Sequence, residues 1–199
     1  MKKVLITTRL LKPNEERASK IWNVKLNLNN EIYSQEKLIE LSKDCDGILS
    51  SILDKIDEKT ISKLSNKVKI ISNYAVGFGN IDIEAAKRKN ILVTNTPDVL
   101  TEATAEIAML LILGACRRAS EGIKWAKNQN WRWSSDFLIG KQLSGSKLGI
   151  LGMGRIGRAV AKRAKAFGME IHYHNRSKLD PDLEGGAKYH NDIKSLFSI

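Results

Sequence analysis

The chain has 199 residues, 42% of them hydrophobic, enough for one or two ordinary globular cores. Lys and Arg number 33 against 22 Asp and Glu, a formal net charge of +11, yet the basic residues are spread along the chain and form no tail or block. That distribution reads as a lysine-rich solvated surface and argues against a nucleic-acid partner. Cys45 and Cys116 are too few and too isolated for a disulfide framework or a metal cluster.

In chain order, VLITT near the N-terminus predicts a first strand rather than a signal peptide, and a helix is predicted from Asn14 through Trp22. VKLNL leads into EKLIELSK, where Leu38, Ile39 and Leu41 form a helical stripe. Asp46-Gly47 opens ILSSIL, a strand running into a loop; DEKTISKLS restores the helical period and VKIISN gives another strand. Strands alternating with helices predict a parallel sheet with helices on its faces, the α/β class. Next, NYAVGFGNID (73–82) lies between a strand and the helix DIEAAKRK. Glycines beyond the carboxyl end of a parallel strand let backbone N–H groups approach an anion. A tight turn needing positive φ at Gly77 or Gly79 explains the same residues. ILVTN then gives a strand that Pro97 ends.

From Thr101, TEATAEIAMLLILGACRR predicts a helix that is apolar nearly all round and therefore buried, between domains or subunits. Its longest apolar run, Ile107 to Ala115, falls short of the roughly 20 residues needed to cross a bilayer. The following stretch, 121–145, is polar and poorly periodic but holds three of the four tryptophans, which suggests an arm packing on a second copy of the chain or, alternatively, on its own domain.

KLGILGMGRIGRAVAKRAKAFGMEIHYHNRSK (147–178) reads as strand, glycine loop, helix, strand. Gly152 serves the tight turn, Gly154 the approach of a pyrophosphate and Gly157 the packing of helix on strand, a dinucleotide-binding fingerprint in its required context. After the second strand an NAD-selective site would carry an Asp or Glu for the ribose hydroxyls. Asn175, Arg176 and Ser177 stand there instead. An Arg fork and a hydroxyl suit a 2′-phosphate, so NADP is preferred and NAD is the second choice.

YAVGFGNID, TEATAE, NWRW and LGILGMGRIGRAVAKRAKAFGMEIHYHNRS together resemble the D-isomer-specific 2-hydroxyacid dehydrogenases, in particular the glyoxylate and hydroxypyruvate reductase branch. The resemblance implies a flavodoxin-like substrate domain over 1–97, a Rossmann-like coenzyme domain over 98–199, incomplete at its C-terminal side, a homodimer, a cytoplasmic enzyme, and a small 2-oxoacid or 2-hydroxyacid as substrate. It implies that backbone N–H groups of Val76 and Gly77 hold the substrate carboxylate, that Leu53 lines the substrate pocket and that Thr104 lies near the nicotinamide. Gly152, Met153, Gly154, Arg155, Ile156 and Gly157 match the phosphate loop, and Asn175, Arg176 and Ser177 the adenosine 2′ site. The family's substrate-holding Arg, its acidic residue and its proton-exchanging His match no residue of this sequence. Catalytic residues are therefore expected beyond Ile199, with no turnover by the 199 residues alone. A non-catalytic dinucleotide sensor or corepressor on the same fold is the alternative.

Overall fold

The computed structural model describes residues 1–128 and 132–199. The chain divides into two compact units, Met1–Asp98 and Val99–Ile199.

In the first unit five strands alternate with four helices: β1 (Lys3–Ile6), α1 (Lys12–Ile21), β2 (Asn23–Leu26), α2 (Gln35–Ser42), β3 (Gly47–Ser50), α3 (Glu58–Lys63), β4 (Ile70–Asn73), α4 (Ile83–Arg88) and β5 (Leu92–Thr94). All pairings are parallel and the order is β2-β1-β3-β4-β5, the flavodoxin-like arrangement, whose switch point lies between β1 and β3. Central β3 reads GILS with both faces covered, as a strand between two helical layers must. Ile48, Ile56, Ile61, Val68 and Ile71 form the core beneath α2, α3 and α4. Each such side chain removed from water contributes about 1.5–3 kcal/mol. Two boundaries differ from the sequence reading. Helix α1 begins at Lys12, because Pro13 in the first turn has no N–H to waste and its φ is already helical. ILSSIL gives a strand only to Ser50; beyond it the buried Asp54 carboxylate draws the chain into a turn by accepting Ser51 N–H (2.7 Å) and the Thr7 hydroxyl (2.6 Å).

In the second unit α5 (Thr101–Cys116) and α6 (Ala119–Lys127) precede β6 (Lys147–Leu151), α7 (Arg155–Ala166), β7 (Glu170–His174), α8 (Pro181–Glu184), β8 (Lys188–Tyr189) and α9 (Ile193–Phe197). Among the described residues the sheet has three parallel strands in the order β6-β7-β8, matching the first half of a Rossmann-like sheet. Its core gathers Ala105 and Met109 of α5, Ala161 and Ala164 of α7, and Ile171 and Tyr173 of β7. Within the chain, the expected burial of α5 is met on one face. Only Ala105 and Met109 are buried, while Ile107, Leu110 and Leu111 stay exposed, because α7 covers a single face. The stretch read as aperiodic also begins with a helix, α6, whose Trp125 meets Phe137 edge-on at 5.6 Å between ring centroids. Trp131 lies outside the described residues, and Trp133 is exposed. No described helix is long and apolar enough to cross a membrane.

Candidate functional site

The loop between β6 and α7 is built from backbone. Gly152 has φ +95°, open to glycine at little steric cost. A Cβ on Gly157 would sit 2.4 Å from Gly152 O, so this position tolerates no side chain while helix and strand keep their approach. Helices α2, α3, α4 and α9 each start on a Ser or Asp whose side chain accepts an N–H of the first turn. Helix α7 starts on Gly154, with no side-chain cap and no acid in its first turn. The positive end of its dipole is thus left to an external anion.

Two bonds fasten the loop to the end of β7. Gly152 N–H donates to His174 O (2.9 Å) and Met153 N–H donates to Asn175 Oδ1 (2.6 Å). Met153 itself is buried in the core. A cleft of about 560 Å³ lies against this junction, lined by residues that include Gly152, Gly154, Asn175, Arg176 and Ser177. That volume is of the size that holds small ligands and cofactors. Arg176 and Ser177 are exposed, and among the described residues no acidic side chain lines the cleft. Arg155, Ile156 and Gly157 form the first turn of α7 behind it rather than its lining. Leu179 and Ile193 also line it. Neither was named from the sequence, since only the return of the chain after β7 and the placement of α9 bring them there.

His174 also lines the cleft, and all three histidines are engaged with neighbouring groups. His172 bridges His190 (Nδ1 to Nε2, 2.8 Å) and Glu170 (3.1 Å); His190 also reaches Ser195 Oγ (3.2 Å), and His174 Nδ1 meets His190 O (2.8 Å). Lys188 chiefly, with His172 adding to it, holds the Glu170 carboxyl below its ordinary range. These contacts tie β7 to β8 and α9.

In the first unit, loops at the carboxyl ends of β3 and β4 are locked together. Asn80 Nδ2 donates to Ser51 O and Asp54 O (3.0 Å each), fixing the turn that carries exposed Leu53. Three successive carbonyls of the glycine loop are held: Ala75 O by Thr96 N–H (2.9 Å), Val76 O by Asn95 Nδ2 (2.8 Å) and Gly77 O by Asn73 Nδ2 (2.9 Å). No hydrogen bond is made by the Val76 and Gly77 amides among the described residues. The tight-turn alternative does not hold, for neither Gly77 nor Gly79 has positive φ and a Cβ on either would meet nothing within 4 Å. Asn73, Asn80, Asn95 and Asp54 were not named from the sequence. The asparagines flanking the glycines were the available signal. Thr104 is exposed in the first turn of α5 and does not line the cleft beside β7.

Parallel βαβ architecture with a three-glycine loop at an uncapped helix defines the dinucleotide-binding class of α/β proteins. A model of the catalytic domain of the D-isomer specific 2-hydroxyacid dehydrogenases matches residues 4–186, and the chain belongs to that family. The family uses NAD(P) as coenzyme. Over 201 residues the chain is 37% identical to a glycerate dehydrogenase of Hyphomicrobium methylovorum, covering all of this chain and 62% of that one. It is 42% identical over 161 residues to a glyoxylate reductase of Pyrococcus furiosus, covering 78% of this chain and 48% of the relative. A solved glyoxylate reductase from Paecilomyes thermophila superposes with a TM-score of 0.82 at 35% identity, covering 98% of this chain and 61% of that structure. The chain thus spans less than two thirds of the length of these relatives.

Proposed function

We propose that the chain carries the coenzyme-holding and carboxylate-holding parts of an NADP-preferring oxidoreductase that reduces a small 2-oxoacid, glyoxylate or hydroxypyruvate, to its 2-hydroxyacid. The first unit then serves the substrate and the second the coenzyme. The observation that carries the coenzyme choice is the lining of the cleft beside β7, where Arg176 and Ser177 offer donors and no carboxylate repels a phosphate. The open turn at Gly154 takes the pyrophosphate, with Gly152, Met153, Arg155, Ile156 and Gly157 shaping that turn, and Arg176 and Ser177 take the 2′-phosphate. Thr104 is assigned to the nicotinamide end on family likeness alone. When bound, the reduced nicotinamide supplies a hydride to the substrate's carbonyl carbon as its oxygen gains a proton. Val76 and Gly77 serve the carboxylate. What supports this role is that their carbonyls are fixed from behind while their amides are unpaired, a backbone arrangement suited to an anion. Leu53 supplies an apolar wall. The exposed apolar row of α5 supports a homodimer.

Calorimetric titration of NADPH and NADH tests the coenzyme choice. The parent chain is expected to bind NADPH more tightly, and Arg176→Ala to weaken NADPH about ten- to a hundredfold, corresponding to about 1.5–3 kcal/mol, while leaving NADH nearly unchanged. The loss shrinks with added salt, because Arg176 is exposed. Equal affinities in the parent, or equal losses of both coenzymes in the variant, overturn the reading.

A further inference from the structure

We propose that His172 and His190 act as one proton-binding unit, a pH-operated clasp that fastens α9 to the sheet more firmly on acidification. Four contacts in series carry the inference: Glu170 Oε1 to His172 Nε2 (3.1 Å), His172 Nδ1 to His190 Nε2 (2.8 Å), His190 Nδ1 to Ser195 Oγ (3.2 Å) and Ser195 Oγ to the Asp192 carbonyl (2.9 Å). Both ends of the series only accept, since one is a backbone carbonyl and the other a carboxylate that Lys188 keeps ionised. Four hydrogen bonds need four protons, whereas two neutral imidazoles and one hydroxyl supply three. The fourth is an added proton. It belongs in the 2.8 Å gap between the rings, because the outer ring nitrogens already donate to Glu170 and Ser195.

Without that proton one contact must fail. Either two bare nitrogens face each other across the gap, or the Ser195 hydroxyl turns to His190 and abandons the Asp192 carbonyl at the start of α9. Both loosen the hold on α9. A second proton is excluded as well, for it would set two N–H groups against each other at the same 2.8 Å. The pair therefore takes one proton over the range, about pH 8 to pH 5, in which two separate imidazoles would each take one. His172 is buried and His190 half-buried, so water is a poor substitute for a lost partner. The charged and titratable groups around them are Glu170 and His174 on β7, Lys188 on β8, Lys147 beside Glu170 on β6, and Asp192 and Lys194 at the start of α9; α7 packs on the opposite face, with Ile171 and Tyr173. His174 stands outside the series, since its Nδ1 donates to the His190 carbonyl (2.8 Å). Ile193 of α9 lines the cleft beside β7, so the state of the clasp sets the firmness of one cleft wall.

Imidazole nitrogen NMR on the protein without coenzyme, across about pH 5 to pH 9, tests the shared proton. His172 and His190 are expected to titrate together in one step that adds one proton to the pair, and two separate protonations, one on each ring, overturn the inference. Ser195→Ala tests the proton count. With the hydroxyl gone, two neutral imidazoles satisfy the two contacts that remain, and the pair is expected to hold its proton about threefold or more weakly than in the parent. An equal or tighter hold overturns the count. The docking of α9 is read from hydrogen exchange of the Leu196 amide, which donates to Asp192 O (3.3 Å). After correction for the intrinsic rate, its protection in the parent is expected to fall about threefold or more from about pH 5.5 to about pH 8, and to stay level in His190→Gln. Protection that is independent of pH in the parent, or that falls equally in His190→Gln, overturns the link to α9.

Discussion

Gly157 shows how little freedom a single residue has at the junction of strand and helix. At an ordinary helical position Gly→Ala stabilises by about 0.4–1 kcal/mol, because the unfolded chain loses more freedom than the helix does. Here the added Cβ meets a carbonyl oxygen, Gly152 O at 2.4 Å, which belongs to the loop itself and cannot swing aside as a side chain would. The sign reverses. Gly157→Ala is expected to destabilise by about 1–3 kcal/mol, the usual range for overpacking. Thermal denaturation followed by circular dichroism checks this, and a midpoint equal to or above the parent's would show that the loop yields. Tyr173 illustrates the same economy in a polar group. It is fully buried, yet its hydroxyl donates to Glu184 (2.6 Å) and accepts Leu179 N–H (3.1 Å), so the chain leaving the cleft is anchored from the core. Burial, reinforced by Glu184, pushes that phenol above its ordinary range.

Helix α3 carries its own pH dependence. Its N-cap, Asp57, is held at a pKa of about 2, chiefly by the Gln35 side chain and then by the Thr60 N–H, against an unfolded value of about 3.9. A carboxyl depressed on folding contributes stability that is fully present above the unfolded value and is lost as pH falls through the folded one. The contribution of Asp57 is therefore expected to disappear between about pH 4 and pH 2. Asparagine caps a helix about as well as aspartate but does not titrate there. Urea unfolding of the parent and Asp57→Asn across that window checks the sign. The parent's advantage should shrink on acidification, and a gap that widens or stays constant refutes the assignment. The residues of this cap, Asp57 and Thr60, were legible as the helical stretch DEKTISKLS. The contribution of Gln35 was not, since Gln35 sits on α2 and meets the cap only through packing.

At the level of the whole molecule, α5 is a strongly apolar element left without a complete partner among the described residues. It buries Ala105 and Met109 against the α7 layer and leaves Ile107, Leu110 and Leu111 exposed at 57%, 62% and 65%. Three large apolar side chains along one helix favour a second protein surface. The expected species in light scattering is a dimer, and the pair of substitutions Leu110→Glu and Leu111→Glu is expected to convert it to monomer while leaving the far-ultraviolet dichroism unchanged. A parent that stays monomeric at high concentration sinks the proposal. Trp133 is likewise exposed.

The sequence alone determined the alternation of strand and helix, the parallel sheets and the glycine fingerprint, because each depends on local periodicity and on the one residue type that fits a close approach or a positive φ. It also determined that Asn175, Arg176 and Ser177, rather than an acid, stand immediately after β7. Tertiary structure alone decided which side chains those backbones lean on. The clamp between Met153 and Asn175 spans 22 residues and the lock between Asn80 and Ser51 spans 29, separations at which no pattern in the chain marks the partner. It likewise decided that α5 is half covered: an apolar sequence records that a helix must be buried, while the count of neighbours that bury it is set by the packing of layers.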